Sequence, residues 1–177
     1  MRILNIIQCA NLGGMEQSNL LRLTELMARG HRVEMISLNP IGGLAPLLER
    51  ANVPARGLSY RGLGGWRSFW EMRKAFRSAN ADAILMTGHS LVASLALLGI
   101  PSKKRVLAIH FHHMERAGDE LRWQVIYRVV NKIFDHVSFV SSFIRQEALT
   151  LYPAIKNKSS VLPNPFLVPP VPSAGER

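Results

Sequence analysis

The chain has 177 residues, 47% of them apolar, and carries 22 Lys and Arg against 12 Asp and Glu, a net charge of +10. That length fits one domain with a sizeable core, and the apolar fraction excludes a disordered chain. The single cysteine, Cys9, excludes an intrachain disulfide and a cysteine metal cluster and fits a reducing compartment, while the basic excess asks for an anionic partner such as nucleic acid, a lipid surface or a phosphorylated substrate.

Met1-Arg2 leads straight into a strand pattern broken by Asn5 and Gln8, without the apolar core of a signal peptide. Ile3–Cys9 reads as a central strand covered on both faces. A short loop with Gly13-Gly14 follows, then a helix from Met15 to Arg29 with Leu20, Leu21, Leu23, Leu26 and Met27 at helical spacing. Gly30 suits its left-handed C-terminal cap. Arg32–Leu38 is the second strand, Pro46–Asn52 a short helix, Ala55–Tyr60 a weak third strand and Trp66–Ala79 an amphipathic helix. Asp82–Thr87 is a fourth strand, and the loop Gly88-His89-Ser90 places Ser90 as N-cap of a buried helix through Leu98. The apolar run Leu91–Ile100 is too short to span a bilayer, which takes about 20 residues. Arg105–His110 is a fifth strand, and Leu121–Phe134 is a helix apolar on most faces and therefore expected to be buried. A sixth strand (His136–Val140), a helix (Ser142–Leu151) and a short last strand (Ser160–Leu162) complete the pattern.

Strands alternating with helices give an α/β fold class with a doubly wound parallel sheet of six or seven strands. Ligands of such sheets bind at the carboxyl ends of the strands, here the loops at 10–14, 88–90 and 110–118. After Leu162 the composition changes: half of the ten prolines fall between Pro163 and Pro172, which reads as a stiff linker toward a further domain.

Several residue groups can carry chemistry. Gly13-Gly14 is either a tight turn or a backbone nest for an anion at a helix N-terminus. Neither the dinucleotide fingerprint nor the P-loop lysine pattern is present, which argues against a NAD enzyme or a nucleoside triphosphatase. Glu16 in the first helical turn suits the helix dipole. His110, His112 and His113 cluster at the end of the fifth strand, but with no cysteine pair and no H-E-x-x-H the pattern does not favour a metal site. One histidine as a hydrogen-bonding or proton-transfer group is the alternative to ordinary loop histidines.

Five short motifs in order carry a resemblance: L-G-G-M-E at 12–16, L-M-A-R-G-H-R-V at 26–33, V-L-A-I-H at 106–110, V-S-F-V-S-S-F at 137–143 and V-L-P-N-P at 161–165. Together they resemble the N-terminal half of a retaining GT-B glycosyltransferase of family 4, whose usual forms are G-G-x-E, G-H-x-V, a strand-end His, V-S-x-F and P-N-G-V-D. The resemblance implies a Rossmann-like acceptor-side domain over 1–162. Residues 163–177 would then link it to a donor-binding domain carrying E-x7-E. It implies that Gly13, Gly14 and Glu16 approach the diphosphate of a nucleotide-sugar donor, that His110 lies near the transferred hexose, and that neither metal nor cofactor is needed. Two departures are P-N-P-F in place of P-N-G-V-D and Phe111 after His110, so His112 and His113 stay open as alternatives.

In Trp66–Ala79 the aromatics Trp66, Phe69, Trp70 and Phe76 form one stripe flanked by Arg67, Arg73, Lys74 and Arg77. The stripe either packs on the sheet, leaving a solvated basic face, or lies in the interface of an anionic membrane. Sugar transfer to a glycan or lipid acceptor, in the cytoplasm or at the inner membrane face, is thus the leading function. A non-catalytic binder of sugar phosphates or nucleic acid is the alternative, although no nucleic-acid-binding motif is visible.

Overall fold

The computed structural model describes residues 1–60, 65–110 and 118–165. Its strands are β1 (Arg2–Ile7), β2 (Arg32–Ser37), β3 (Ala55–Gly57), β4 (Ala83–Thr87), β5 (Lys104–Ile109), β6 (His136–Phe139) and β7 (Ser159–Val161). All pair in parallel, in the order β3-β2-β1-β4-β5-β6-β7. This is the doubly wound α/β sheet expected from the alternation. β1 has a partner on each side, although the middle place in the order belongs to β4.

The helices are α1 (Gly14–Ala28), α2 (Ala45–Arg50), α3 (Trp66–Ser78), α4 (Leu91–Ala96), α5 (Asp119–Ile133) and α6 (Ser142–Leu151). The chain runs outward from β1 to β3, then returns past β1 to β4 and continues the other way. Right-handed crossovers therefore place α1 and α2 on one face and α3 to α6 on the other. Two separate cores follow. Ile3, Ile7 and Met35 pack with Leu23 and Leu48 on the first face. Leu4, Ile6 and Phe139 pack with Phe76, Trp123 and Tyr127 on the second.

Several elements differ from the sequence reading. β1 ends at Ile7, although the Gln8 carbonyl still accepts from the Asn39 N–H at 3.1 Å, and Ala10 bridges Ile41. β3 covers only three residues; a Cβ on Gly57 would lie 2.7 Å from the Ile41 backbone N, so this edge is pressed against the loop after β2. α4 stops after six residues, where Gly99 turns left-handed at φ 69°. A 3-10 turn at Pro153–Lys158, with proline at its start, leads into β7. α5 is not buried on most faces: Trp123, Ile126, Tyr127, Val130 and Ile133 are, but Leu121 and Val125 are exposed.

α3 departs most. Its buried arc is Ser68, Met72, Ala75 and Phe76, with Phe69 at the margin. At about 100° per residue this arc turns Trp66 and Trp70 outward, where they are 73% and 48% exposed. The aromatic stripe is therefore split, its phenylalanines on the core and its tryptophans in solvent.

Candidate functional site

The site starts from one buried polar knot. Asn5 interrupts the buried apolar run Ile3–Ile7 of β1 and is fully buried. Its Nδ2 donates to the Leu85 carbonyl at 3.2 Å and to Thr87 Oγ1 at 3.3 Å. Asn19 Nδ2 donates to Asn5 Oδ1 at 2.8 Å, and Thr87 Oγ1 to Asn19 Oδ1 at 2.7 Å. Buried amides and hydroxyls are stable only when paired, and these satisfy one another. The knot locks α1 to β1 and β4, between which the chain changes direction, and so fixes the two loops above them.

Those loops bound a cleft of about 1060 Å³ at the carboxyl edge, where α/β sheets hold their ligands. Gln8, Cys9, Asn11 and Met15 line it from the first loop, and Gly88, His89 and Ser90 from the second. Leu121, Arg122 and Val125 of α5 form a third wall, which explains their exposure. Specific contacts hold the second loop. Gly88 adopts φ 79°, which favours glycine, and its N–H donates to the Ala108 carbonyl at 2.8 Å. Ser90 Oγ caps α4 by accepting from the Ala93 N–H at 3.2 Å. The His89 ring lies 4.4 Å from that of Trp123.

In the first loop the two glycines do different things. A Cβ on Gly13 would lie 2.4 Å from Glu16 Oε2, so Gly13 makes room for the Glu16 carboxylate. That carboxylate is 7% exposed and accepts from Cys9 Sγ at 3.4 Å. Burial, then the Glu16 hydrogen bond and charge, push the Cys9 thiol pKa up, so the thiol stays protonated. Gly14 has nothing within 4 Å of a Cβ position and is exposed. The α1 ladder begins with Gln17 N–H donating to the Gly13 carbonyl. The N–H groups of Gly14, Met15 and Glu16 therefore precede it, and Gly13 offers no side chain to cap them.

His110 does not join this loop. It follows β5 and faces Arg22 of α1, whose Nη1 lies 3.4 Å from His110 Nε2. Arg22 Nη2 donates to Asn164 Oδ1 at 2.8 Å. Burial, reinforced by the Arg22 charge, lowers the His110 pKa to about 4, and burial lowers that of Arg22. His112 and His113 lie outside the described residues. Among the described residues no cluster of three His, Cys, Asp or Glu could hold a metal ion, and no helix is long and apolar enough to cross a membrane.

Arg22 and the Asn5–Asn19–Thr87 knot escaped the sequence reading, whereas His89 lay in a loop already assigned to the ligand edge but was given no role of its own. Only Asn5, a polar break in an apolar strand, carried a visible signal.

Comparison with curated proteins found no match. Among solved structures, the chain is similar to Anabaena HepE in complex with UDP and glucose, at 19% identity and TM-score 0.68, covering 94% of this chain and 45% of that one. It is similar to a glycosyltransferase from Rickettsia africae ESF-5 at 15% identity and TM-score 0.70, covering 92% and 42%. It is also similar to the apo lipopolysaccharide outer core galactosyltransferase WaaB, at 18% identity and TM-score 0.68, covering 100% and 50%. The chain thus spans half or less of each of these chains, and at such identities they show its fold, the Rossmann-like α/β fold of GT-B glycosyltransferases. The family model for Glycosyltransferase Family 4 matches residues 12–166, most of the chain, and the chain belongs to that family.

Proposed function

We propose that this chain is the acceptor-side half of a retaining, metal-independent enzyme that transfers a hexose from a nucleotide sugar to a glycan or lipid acceptor. Residues 1–162 form the acceptor domain, and 163–177 lead to a donor-binding half. The observation that carries the reading is Gly14, with open space where a side chain would stand, beside uncapped N–H groups and a large cleft. Such a helix start binds phosphate through backbone N–H groups and the helix dipole. A donor diphosphate held from the facing domain would meet it there, with Glu16 bracing the loop from behind. His110, neutral at pH 7 with its pKa near 4, serves in this reading as a hydrogen-bonding group beside the sugar.

The test is release of nucleoside diphosphate from a panel of nucleotide sugars, with and without a chelator. The full-length protein should release one of them and keep doing so under chelation, whereas residues 1–177 alone should not. Turnover by the isolated chain, or its loss on chelation, contradicts the reading. Tight binding of a sugar phosphate by the full-length protein without any release makes it a binding module instead.

The same proposal places the enzyme at the inner face of an anionic membrane. Outward on α3, within about 100° of arc, stand Trp66, Trp70, Arg67, Lys74 and Arg77, all exposed. The tryptophan rings meet edge to face at 5.5 Å and 78°, away from the core. Tryptophan and arginine on one exposed helix face suit the headgroup boundary. α3 starts at the carboxyl edge of the sheet, the edge that also carries the cleft.

A further inference from the structure

Arg22 is hard to explain as a structural side chain. It sits half-buried on α1, and among the described residues it forms no ion pair with a carboxylate. Its two amino groups are committed instead to two uncharged partners far away in sequence: His110 Nε2, 88 residues on, and Asn164 Oδ1, 142 residues on. Guanidinium groups carry only donors. An Nη1–H directed at Nε2 therefore requires Nε2 to be the accepting nitrogen, and the ring proton must sit on Nδ1.

We propose that Arg22 is a positioning residue that holds His110 as the neutral Nδ1–H tautomer and ties that state to Asn164 at the start of the linker. His110 then presents an N–H donor, and no basic nitrogen, to whatever approaches it. The surroundings agree with this. His110 Nδ1 and Arg22 Nε are both buried without a hydrogen-bond partner, so each lacks an acceptor such as a ligand oxygen. The low pKa of His110, near 4, keeps the ring uncharged at neutral pH. A cation beside it also opposes proton uptake, so His110 is poorly suited to be a general base. That the ligand oxygen belongs to the transferred sugar rests on the function proposed above; the tautomer and the tether do not.

The experiment is nitrogen NMR on histidine-labelled full-length protein, with the His110 signals assigned by their loss in His110→Gln. In the wild type His110 should show the shift pattern of an Nδ1–H imidazole with Nε2 unprotonated. Arg22→Met keeps the apolar bulk and removes every donor; it should convert His110 largely to the Nε2–H tautomer that free histidine prefers. Arg22→Lys keeps a cationic, donor-only head group and should restore most of the Nδ1–H pattern. In a turnover assay Arg22→Met should lower kcat more than it raises KM for the acceptor. A wild-type His110 in the Nε2–H form overturns the proposal, as does an Arg22→Met spectrum identical to the wild type. If Arg22→Met does not fold, the wild-type tautomer alone still decides. Should the tautomer be as stated while the protein transfers no sugar, the positioning holds and the enzymatic reading falls.

Discussion

The exposed face of α3 gives the most quantitative forecast. Trp66 and Trp70 are 73% and 48% exposed; with up to about 250 Å² per tryptophan, the pair leaves roughly 300 Å² of apolar surface in water. At about 25 cal/mol per Å², complete withdrawal from water would give about 7 kcal/mol, and burial to half depth about 3–4 kcal/mol. Arg67, Lys74 and Arg77 add about 1 kcal/mol each near an anionic leaflet. The sum, about 6 kcal/mol, matches one myristoyl chain, whose binding constant is about 10⁴ M⁻¹ and whose attachment is reversible. The assay is co-sedimentation with phosphatidylcholine vesicles, with and without phosphatidylglycerol. Trp66→Ser with Trp70→Ser should weaken binding by about two orders of magnitude or more, and Arg67→Gln, Lys74→Gln and Arg77→Gln together by roughly a hundredfold. About 1 M salt should mimic the charge variant in the wild type, because the Debye length shrinks to about 3 Å. Arg73 must be left alone: its Nη1 donates to the carbonyls of Ala96 at 2.9 Å and Leu98 at 2.5 Å, so it closes the end of α4. Wild-type protein that ignores anionic vesicles at low salt refutes the reasoning. So does lipid-free dimerisation abolished by the tryptophan variants, which would assign this face to a second copy of the chain.

The remaining forecasts concern the cleft and His110. Gly14→Val in the full-length enzyme should reduce turnover about tenfold or more while thermal stability stays nearly unchanged, because its Cβ meets nothing protein-borne; a collapse in Tm would make the glycine structural. Gly13→Ala should show the opposite emphasis, losing about 1–3 kcal/mol in denaturant unfolding as the Glu16 carboxylate is driven from its Cys9 contact. An unchanged midpoint there would mean that Glu16 swings away freely. His110 has a folded pKa near 4, below its ordinary 6.5, so the folded state binds fewer protons between those values. Stability should therefore fall as pH drops from about 6.5 to about 4, by about 1–2 kcal/mol after discounting for partial exposure. His110→Gln should flatten that part of the pH profile, and an equal slope in the variant would assign the acid sensitivity elsewhere. His110→Ala should lower turnover more than acceptor affinity.

What the sequence could disclose was set by distance along the chain. The strand and helix alternation is local, so the doubly wound sheet was legible, and so was the Ser90 cap, which needs only Ala93 three residues away. The glycine loop was legible as a loop, but the division of labour within it was not. Whether Gly13 yields to Glu16 depends on how the first turn of α1 packs, whereas spacing says only that both residues are near. The aromatic stripe of α3 failed for a related reason. Periodicity fixes the angles between Trp66, Phe69, Trp70 and Phe76 but not the rotation of the helix on the sheet, and Met72 and Ala75 won the buried arc.

The long-range pairings around the cleft and His110 share one further property. Asn5 meets Thr87 across 82 residues, and Arg22 meets His110 across 88 and Asn164 across 142. Each joins α1 or β1, from the outward half of the winding, to an element laid down after the chain has turned back. These contacts exist only because the winding reverses between β1 and β4, so no local pattern could announce them. The reversal that opens the cleft also brings a donor-only side chain against His110, and under the assignment proposed above a motif that reads locally as a strand-end histidine takes its tautomer from a residue on the opposite arm of the fold.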